Sequence, residues 1–367
     1  MLRTDAQIDA WIGRNTPGAA YVHFDRSRVI HERYAGVADV ATQRPVDAQT
    51  SFHGFSVTKT MTALAVMQLV RAGRLDLDDP ARQHLPTMPY AENIRVRHLL
   101  THTAGLPNPL PLSWVHAPDA DFDRDAFFAT VFAKHAKLRS KPGERCAYSN
   151  LGYVLLGQLI ERSTGDRYEE VVDRMILRPS GIAADEIGSK HPSTSVHATG
   201  YLRSWSVLAL VLPFLFDTRR HMGTRIGPWR PFHPFVLNGI AYGGSIGTAT
   251  GYRKYLQALL TDGKLIDVAG RDQLFTEELT NHGKATGMAM SWFCGNLNGE
   301  RYRAHPGGGG GYYAELRVYP DLGRGSVLLL NRTGVSNERL LDRLDQHLLP
   351  DQRHRTLDPS VEPRITT

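Results

Sequence analysis

Strand signals stand at the two ends of this chain and helical periodicity fills most of the middle, and no other feature narrows its fold so far. Near the N-terminus, Ala19–Phe24 and Val29–Tyr34 are rich in β-formers and separated by the polar Asp25-Arg26-Ser27-Arg28. Near the C-terminus, Tyr312–Tyr319 and Ser326–Asn331 flank the turn signal Asp321-Leu322-Gly323-Arg324-Gly325. The intervening sequence reads as helix, most clearly over Val96–Leu100, Leu151–Ile160 and Tyr252–Leu260. The expectation is one sheet built from both ends of the chain, with a helical insertion between them. A helix is expected around Asn337 to Leu349, followed by a loose tail from Pro350.

The chain of 367 residues is long enough for one large domain or two intimate subdomains. Its apolar fraction of 41% and charged fraction of 22% exclude wholesale disorder. A formal charge of +6 is carried mostly by arginine and forms no dense basic run, which points to solubility rather than nucleic-acid binding. Cys146 and Cys294 stand apart, without metal spacing or a disulfide framework, so a reducing compartment is the simpler reading. Among sixteen histidines, His98 and His102 share i,i+4 spacing but lack a nearby third ligand. They read as structural, and no metal is expected. The first residues lack the apolar stretch of a secretory signal, so a chain starting natively at Met1 is expected in the cytoplasm. The longest apolar run, Trp205 to Phe216, is too short to span a bilayer and is broken by Pro213. It reads equally as a buried core helix or as an acyl-pocket wall, lid or membrane-surface element.

Three motifs carry chemistry. Ser56 and Lys59 are three residues apart where a strand-like segment, Phe52-His53-Gly54-Phe55, turns into a helix running to Val70. On a helix, i and i+3 side chains are neighbours, so the amine can take the hydroxyl proton. The helix N-terminus and the apolar surroundings both disfavour charge on the lysine. Of the eight lysines, only Lys59 has a serine three positions before it. The helix is apolar on most sides and is expected to be buried between layers. The second motif is Tyr148-Ser149-Asn150, after the turn-like Lys141-Pro142-Gly143-Glu144. A tyrosine beside a cation relays protons, and the Asn150 amide can hold Lys59 and a substrate carbonyl. The third is His305-Pro306 followed by five glycines, running into the strand Tyr312–Tyr319. Backbone there can approach a substrate closely, and an N–H paired with that of Ser56 makes an oxyanion hole. Lys284-Ala285-Thr286-Gly287 looks like a Lys-Thr-Gly triplet with one insertion, but lacks a glycine-rich continuation.

With these motifs in place, the chain resembles the serine β-lactamase and penicillin-binding-protein superfamily. The resemblance is to its class C β-lactamase-like branch, which includes D-aminopeptidases and family VIII esterases. It extends over about Gly18 to Leu349 and is reinforced by Gly73–Pro80, Val96–Pro107, Tyr148–Tyr153 and Gly243–Ala249. It implies an α+β fold of the β-lactamase/transpeptidase kind: an antiparallel five-stranded sheet flanked by helices, plus an all-helical subdomain. The expected division is a single domain over residues 1–350. Its sheet part takes about 1–80 and 285–350, its helical part about 81–284, and the tail 351–367.

By the same resemblance Ser56 is the acylated nucleophile, Lys59 its proton acceptor and Tyr148 base and then acid. Asn150, His305, Gly307 and Gly308 support the substrate. His305-Pro306-Gly307 stands where the family has Lys-Thr-Gly, which removes the cation and hydroxyl that hold a β-lactam carboxylate. A carboxylesterase acting on a small-molecule ester is therefore expected, without metal or organic cofactor. A β-lactamase or D-amino-acid amidase is the rival reading, and a non-catalytic binding module on the same fold is the rival of another class. The segment 201–238 departs from the family pattern and is expected to form an apolar lid or acyl-binding wall.

Overall fold

The structure, a computed structural model, describes residues 2–192, 195–335 and 339–350. The tail expected over 351–367 lies outside the described residues, as does the start of the helix expected from Asn337.

Short helix α1 (Arg3–Asp9) precedes β1 (Gly18–Asp25), β2 (Val29–Asp39) and the two-residue β3 (Arg44–Pro45). The sheet is completed from the other end by β4 (Phe293–Leu297), β5 (Glu300–Gly309), β6 (Tyr312–Tyr319) and β7 (Arg324–Leu330). Spatial order is β4-β5-β6-β7-β1-β2-β3, antiparallel throughout. Four of these strands, β1, β2, β6 and β7, are those read from the sequence; β5 makes up the five that the resemblance implies, and β4 and β3 extend the sheet to seven. The two ends of the chain meet where β1 pairs with β7, Tyr21 opposite Leu328 and His23 opposite Ser326.

Strand alternation gives the sheet two apolar faces, and both are covered. One face carries Tyr21, Tyr313, Leu328 and Leu330 and is closed by Ile8 and Trp11 from the N-terminal segment and by Leu341 and Leu344. The last two lie on the C-terminal helix, whose described part is Leu340–Asp345. The other face carries Val22, Leu316, Val318 and Leu329 and merges into the main core with the helices. Chief among these is α2 (Thr58–Arg71), buried along almost its whole length from Thr58 to Leu69, as its all-round apolar character requires.

The helical part includes α3 (Asn150–Thr164), closed by Gly165 at φ +82°, a left-handed cap glycine adopts without strain. It also includes α4 (Val207–Leu215), whereas α5 (Ala249–Leu260) packs on the main sheet against β7 and β1 and is capped by Thr248, whose hydroxyl accepts from Gly251 N at 3.0 Å. A small antiparallel sheet of Ser51–His53, Ile246–Thr248 and Ile187–Gly188 ties the chain just before Ser56 to this part.

Candidate active site

The short strand Ser51–His53 delivers the chain to a single 3-10 turn, Phe55–Val57, which runs into α2. Gly54 lets that turn pack, since a Cβ there would lie 2.2 Å from Tyr252 Oη. Phe55 holds φ +50°, a left-handed conformation that a bulky residue adopts only when its surroundings enforce it. Of the five non-glycine residues with positive φ, three border this site: Phe55, His102 and Ser291.

Lys59 is fully buried, and burial pushes its amine well below the ordinary lysine value. Its Nζ lies 3.0 Å from Ser56 Oγ, 2.8 Å from Asn150 Oδ1 and 2.5 Å from the Tyr242 carbonyl. A neutral amine has two hydrogens and one lone pair. The amide and carbonyl oxygens only accept, so they take the two hydrogens and leave the lone pair facing the Ser56 hydroxyl. That is the orientation a general base needs.

The Tyr148 ring centroid is 5.0 Å from the Lys59 amine, and the Tyr148 hydroxyl is 3.5 Å from His305 Nε2. His305 Nδ1 contacts the Ser291 carbonyl, which can only accept, so the imidazole proton sits on Nδ1 and Nε2 offers a lone pair to Tyr148. Burial lowers His305 to about 3. At neutral pH it is therefore an uncharged acceptor rather than a cation holding a carboxylate. The His102 ring lies tilted by 33° against Tyr148 with ring centroids 4.3 Å apart, and its Nδ1 accepts from Ser149 N at 3.2 Å.

Strand β5 runs past the end of its neighbour β4, so its stretch beyond Ala304 faces the nucleophile turn. A Cβ on Gly307 would lie 2.2 Å from the Gly54 carbonyl and 2.9 Å from Ser56 N, so only glycine lets the strand come this close. Gly308 borders the same cavity as Ser56. The expected Ser56, Lys59, Tyr148, Asn150, His305, Gly307 and Gly308 thus converge, whereas Lys284 sits in an exposed turn. Tyr242 and Ser291 were not singled out from the sequence, and His102 was read there only as a structural histidine. Tyr242, His102 and Ser291 meet the site through a carbonyl, a tilted ring and a carbonyl, and no sequence motif marks such contacts.

A cavity of about 300 Å³ opens over Ser56. Its walls include Phe55, Leu112, Val115, Phe232, Phe235 and Leu237. Helix α4 and its end supply Leu208, Leu212 and Phe216. Among the described residues no lysine, arginine or carboxylate lines it; burial lowers His221 and raises the Tyr242 hydroxyl, so both are held toward their neutral forms. The apolar run from Trp205 to Phe216 is thus a wall of the site and not a buried core helix: Trp205 is 79% exposed and Phe214 87%.

Behind that wall stand His53, His191 and His197, each with a ring nitrogen within 4.8 Å of the others. His53 is stacked on Phe235 with centroids 4.5 Å apart. Burial lowers it to about 3. Its sequence separation from the other two hid this cluster. Both cysteines are free. Among the described residues no helix is long and apolar enough to cross a membrane.

Comparison with known proteins adds four findings. The sequence matches the Beta-lactamase family over residues 5–349. It is 26% identical over 331 residues to a penicillin-binding protein of Bacillus subtilis (strain 168), spanning 88% of this chain and 70% of that protein. It is 33% identical over 197 residues to esterase EstB of Burkholderia gladioli, spanning 49% of this chain and 50% of the esterase. Among solved structures, the D-amino acid amidase of Ochrobactrum anthropi SV3 complexed with L-phenylalanine amide superposes with a TM-score of 0.78. The overlap covers 96% of this chain and 99% of that one at 21% identity, a likeness of fold.

Proposed function

Since the chain belongs to the Beta-lactamase family of serine hydrolases, we propose that it is a carboxylesterase working through an acyl-enzyme on Ser56. The observation that carries this reading is the cavity over Ser56, whose lining is apolar and holds no fixed charge. Such a wall suits the acyl chain of an ester. A β-lactam brings a carboxylate, and a D-amino-acid amide brings an ammonium. Neither finds a charged partner there, and His305, in the place of the family lysine, is neutral.

The lone pair of Lys59 takes the Ser56 proton as Oγ attacks the ester carbonyl carbon. The oxyanion is held by the Ser56 N–H and an N–H of the glycine stretch of β5, and its charge is matched by the new ammonium of Lys59. As the tetrahedral intermediate collapses, the C–O bond to the alcohol breaks and the Tyr148 hydroxyl gives the alkoxide its proton. Water then surrenders a proton to the Tyr148 oxygen and attacks the acyl carbon. Lys59 returns its proton to Ser56 as the acid leaves, which restores every group. His305 Nε2, held by the Nδ1 contact to Ser291, keeps the Tyr148 hydroxyl in place.

Replacing Ser56 by alanine is expected to abolish turnover of p-nitrophenyl butyrate and labelling by a fluorophosphonate. Parallel assays with nitrocefin and a D-alanyl amide are expected to give far lower kcat/KM than the ester. Faster turnover of either would overturn the esterase reading.

A further inference from the structure

Helix α4 has two apolar faces. The inner one lines the cavity over Ser56. The outer one presents Val207, Leu210, Phe214 and Leu215 to solvent at 78, 71, 87 and 53% exposure, next to Trp205. Single exposed apolar residues are common, but a contiguous set on one short segment is not. Leu110, on the cavity rim, is exposed to 69% and extends the patch to the mouth of the site.

The ring around this patch is basic. Residues 203–230 hold five arginines and a single acidic residue, Asp217, a formal +4 of the chain's +6. Arg219, Arg220 and Arg225 are exposed. Arg219, Arg225 and Arg230 also line an open cavity of about 800 Å³ under the helix, which shares Leu212 with the cavity over Ser56. An aliphatic and aromatic face rimmed by arginine matches a surface that is apolar inside and anionic outside. A second copy of this chain does not fit, because a two-fold contact through this patch would bring like-charged arginine rims together.

We propose that α4 and its arginines dock the enzyme on an anionic lipid surface, and that the scissile ester belongs to an acyl lipid drawn from that surface. The substrate half rests on the esterase reading, whereas the docking half does not. With the outer face seated in the headgroup region, Leu110 and the inner face of α4 form a continuous apolar path from the acyl layer to Ser56.

The test is co-sedimentation of the full chain with vesicles of phosphatidylcholine, alone or mixed equally with phosphatidylglycerol. Hydrolysis of p-nitrophenyl acetate by the same preparations is measured alongside. Binding to the mixed vesicles is expected, weakening as salt is raised. Replacing Arg219, Arg220 and Arg225 together by serine is expected to weaken it about a hundredfold. The double variant L210D/F214D is expected to lose a similar factor while hydrolysing p-nitrophenyl acetate at the wild-type rate. Failure of the wild type to sediment with mixed vesicles overturns the docking. So does equal sedimentation of L210D/F214D, or a wild-type dimer in gel filtration that this variant abolishes. Vesicle binding by a wild type that hydrolyses no ester would support docking and remove the esterase reading alone.

Discussion

In the proposed mechanism Lys59 serves as the base, and what surrounds its one nitrogen atom supports that role. Desolvation disfavours its charge, and in the neutral amine two oxygen acceptors use up both hydrogens, so the lone pair has one place to point. A protonated Lys59 cannot take the Ser56 proton, so activity is lost only as pH falls through the lowered amine pKa. The kcat/KM of a short ester is therefore expected to plateau near neutral pH, far below the ordinary lysine value of about 10.4. A rise that continues into that alkaline range would show the amine charged at neutrality. Changing Lys59 to arginine keeps a long cation that does not deprotonate, and a loss of about 10²–10⁴ in kcat/KM is expected. The left-handed Phe55, His102 and Ser291 belong to the same scale. One precedes Ser56, one lies tilted against Tyr148 and one offers its carbonyl to His305, so the backbone strain gathers around the proposed site.

Among the elements, β6 is the one whose pattern breaks the rules. Every residue of it is buried, including Glu315 and Arg317. Arg317 is 2.9 Å from Glu315, and the hydroxyls of Tyr21, Tyr319 and Ser326 all donate to Asp345 at 2.7–2.8 Å. This buried network fastens the C-terminal helix onto the sheet face opposite the site. Removing one partner of such a set leaves the others desolvated and unpaired. Asp345→Ala is expected to cost about 3–5 kcal/mol in urea unfolding, with catalytic constants of the remaining folded enzyme unchanged. A cost below about 1 kcal/mol would mean the carboxylate is hydrated. Helix α4 is the opposite case: its outer apolar face lacks a protein partner among the described residues, and the lipid-surface proposal follows from that.

At the scale of the molecule, the chain buries several neutral imidazoles. His53 and His305 are lowered to about 3 and His98 to about 4, in each case chiefly by burial. In the unfolded chain these rings titrate near the ordinary value of about 6.5. Above that value both states are neutral and stability is full. Below it the unfolded state binds protons that the folded state refuses, so stability falls until the folded pKa is reached. Each ring contributes a slope of up to about 1.4 kcal/mol per pH unit over that window. Denaturant unfolding between pH 7 and 4.5 is expected to show this loss, with the slope reduced by about one proton in His53→Phe. An unchanged slope in that variant would place the His53 proton elsewhere.

The sequence alone determined what depends on neighbours along the chain. The i,i+3 pair of Ser56 and Lys59, the buried character of α2 and the strands at both ends follow from periodicity and turn chemistry, and these features brought the family within reach. Tyr148, Asn150 and His305 were legible only because they matched known motifs, since they lie far along the chain from Ser56. The tertiary structure decided the rest. It set which His305 nitrogen carries the proton, that Tyr242 and Asn150 consume the Lys59 hydrogens, and that three distant histidines meet behind Phe235. It also decided that the run from Trp205 to Phe216 is exposed. An apolar run reads the same from sequence whether it is covered or bare, because coverage is a property of what packs against it. Burial and hydrogen-bond partners arise from contacts across hundreds of residues, and local periodicity carries no record of them.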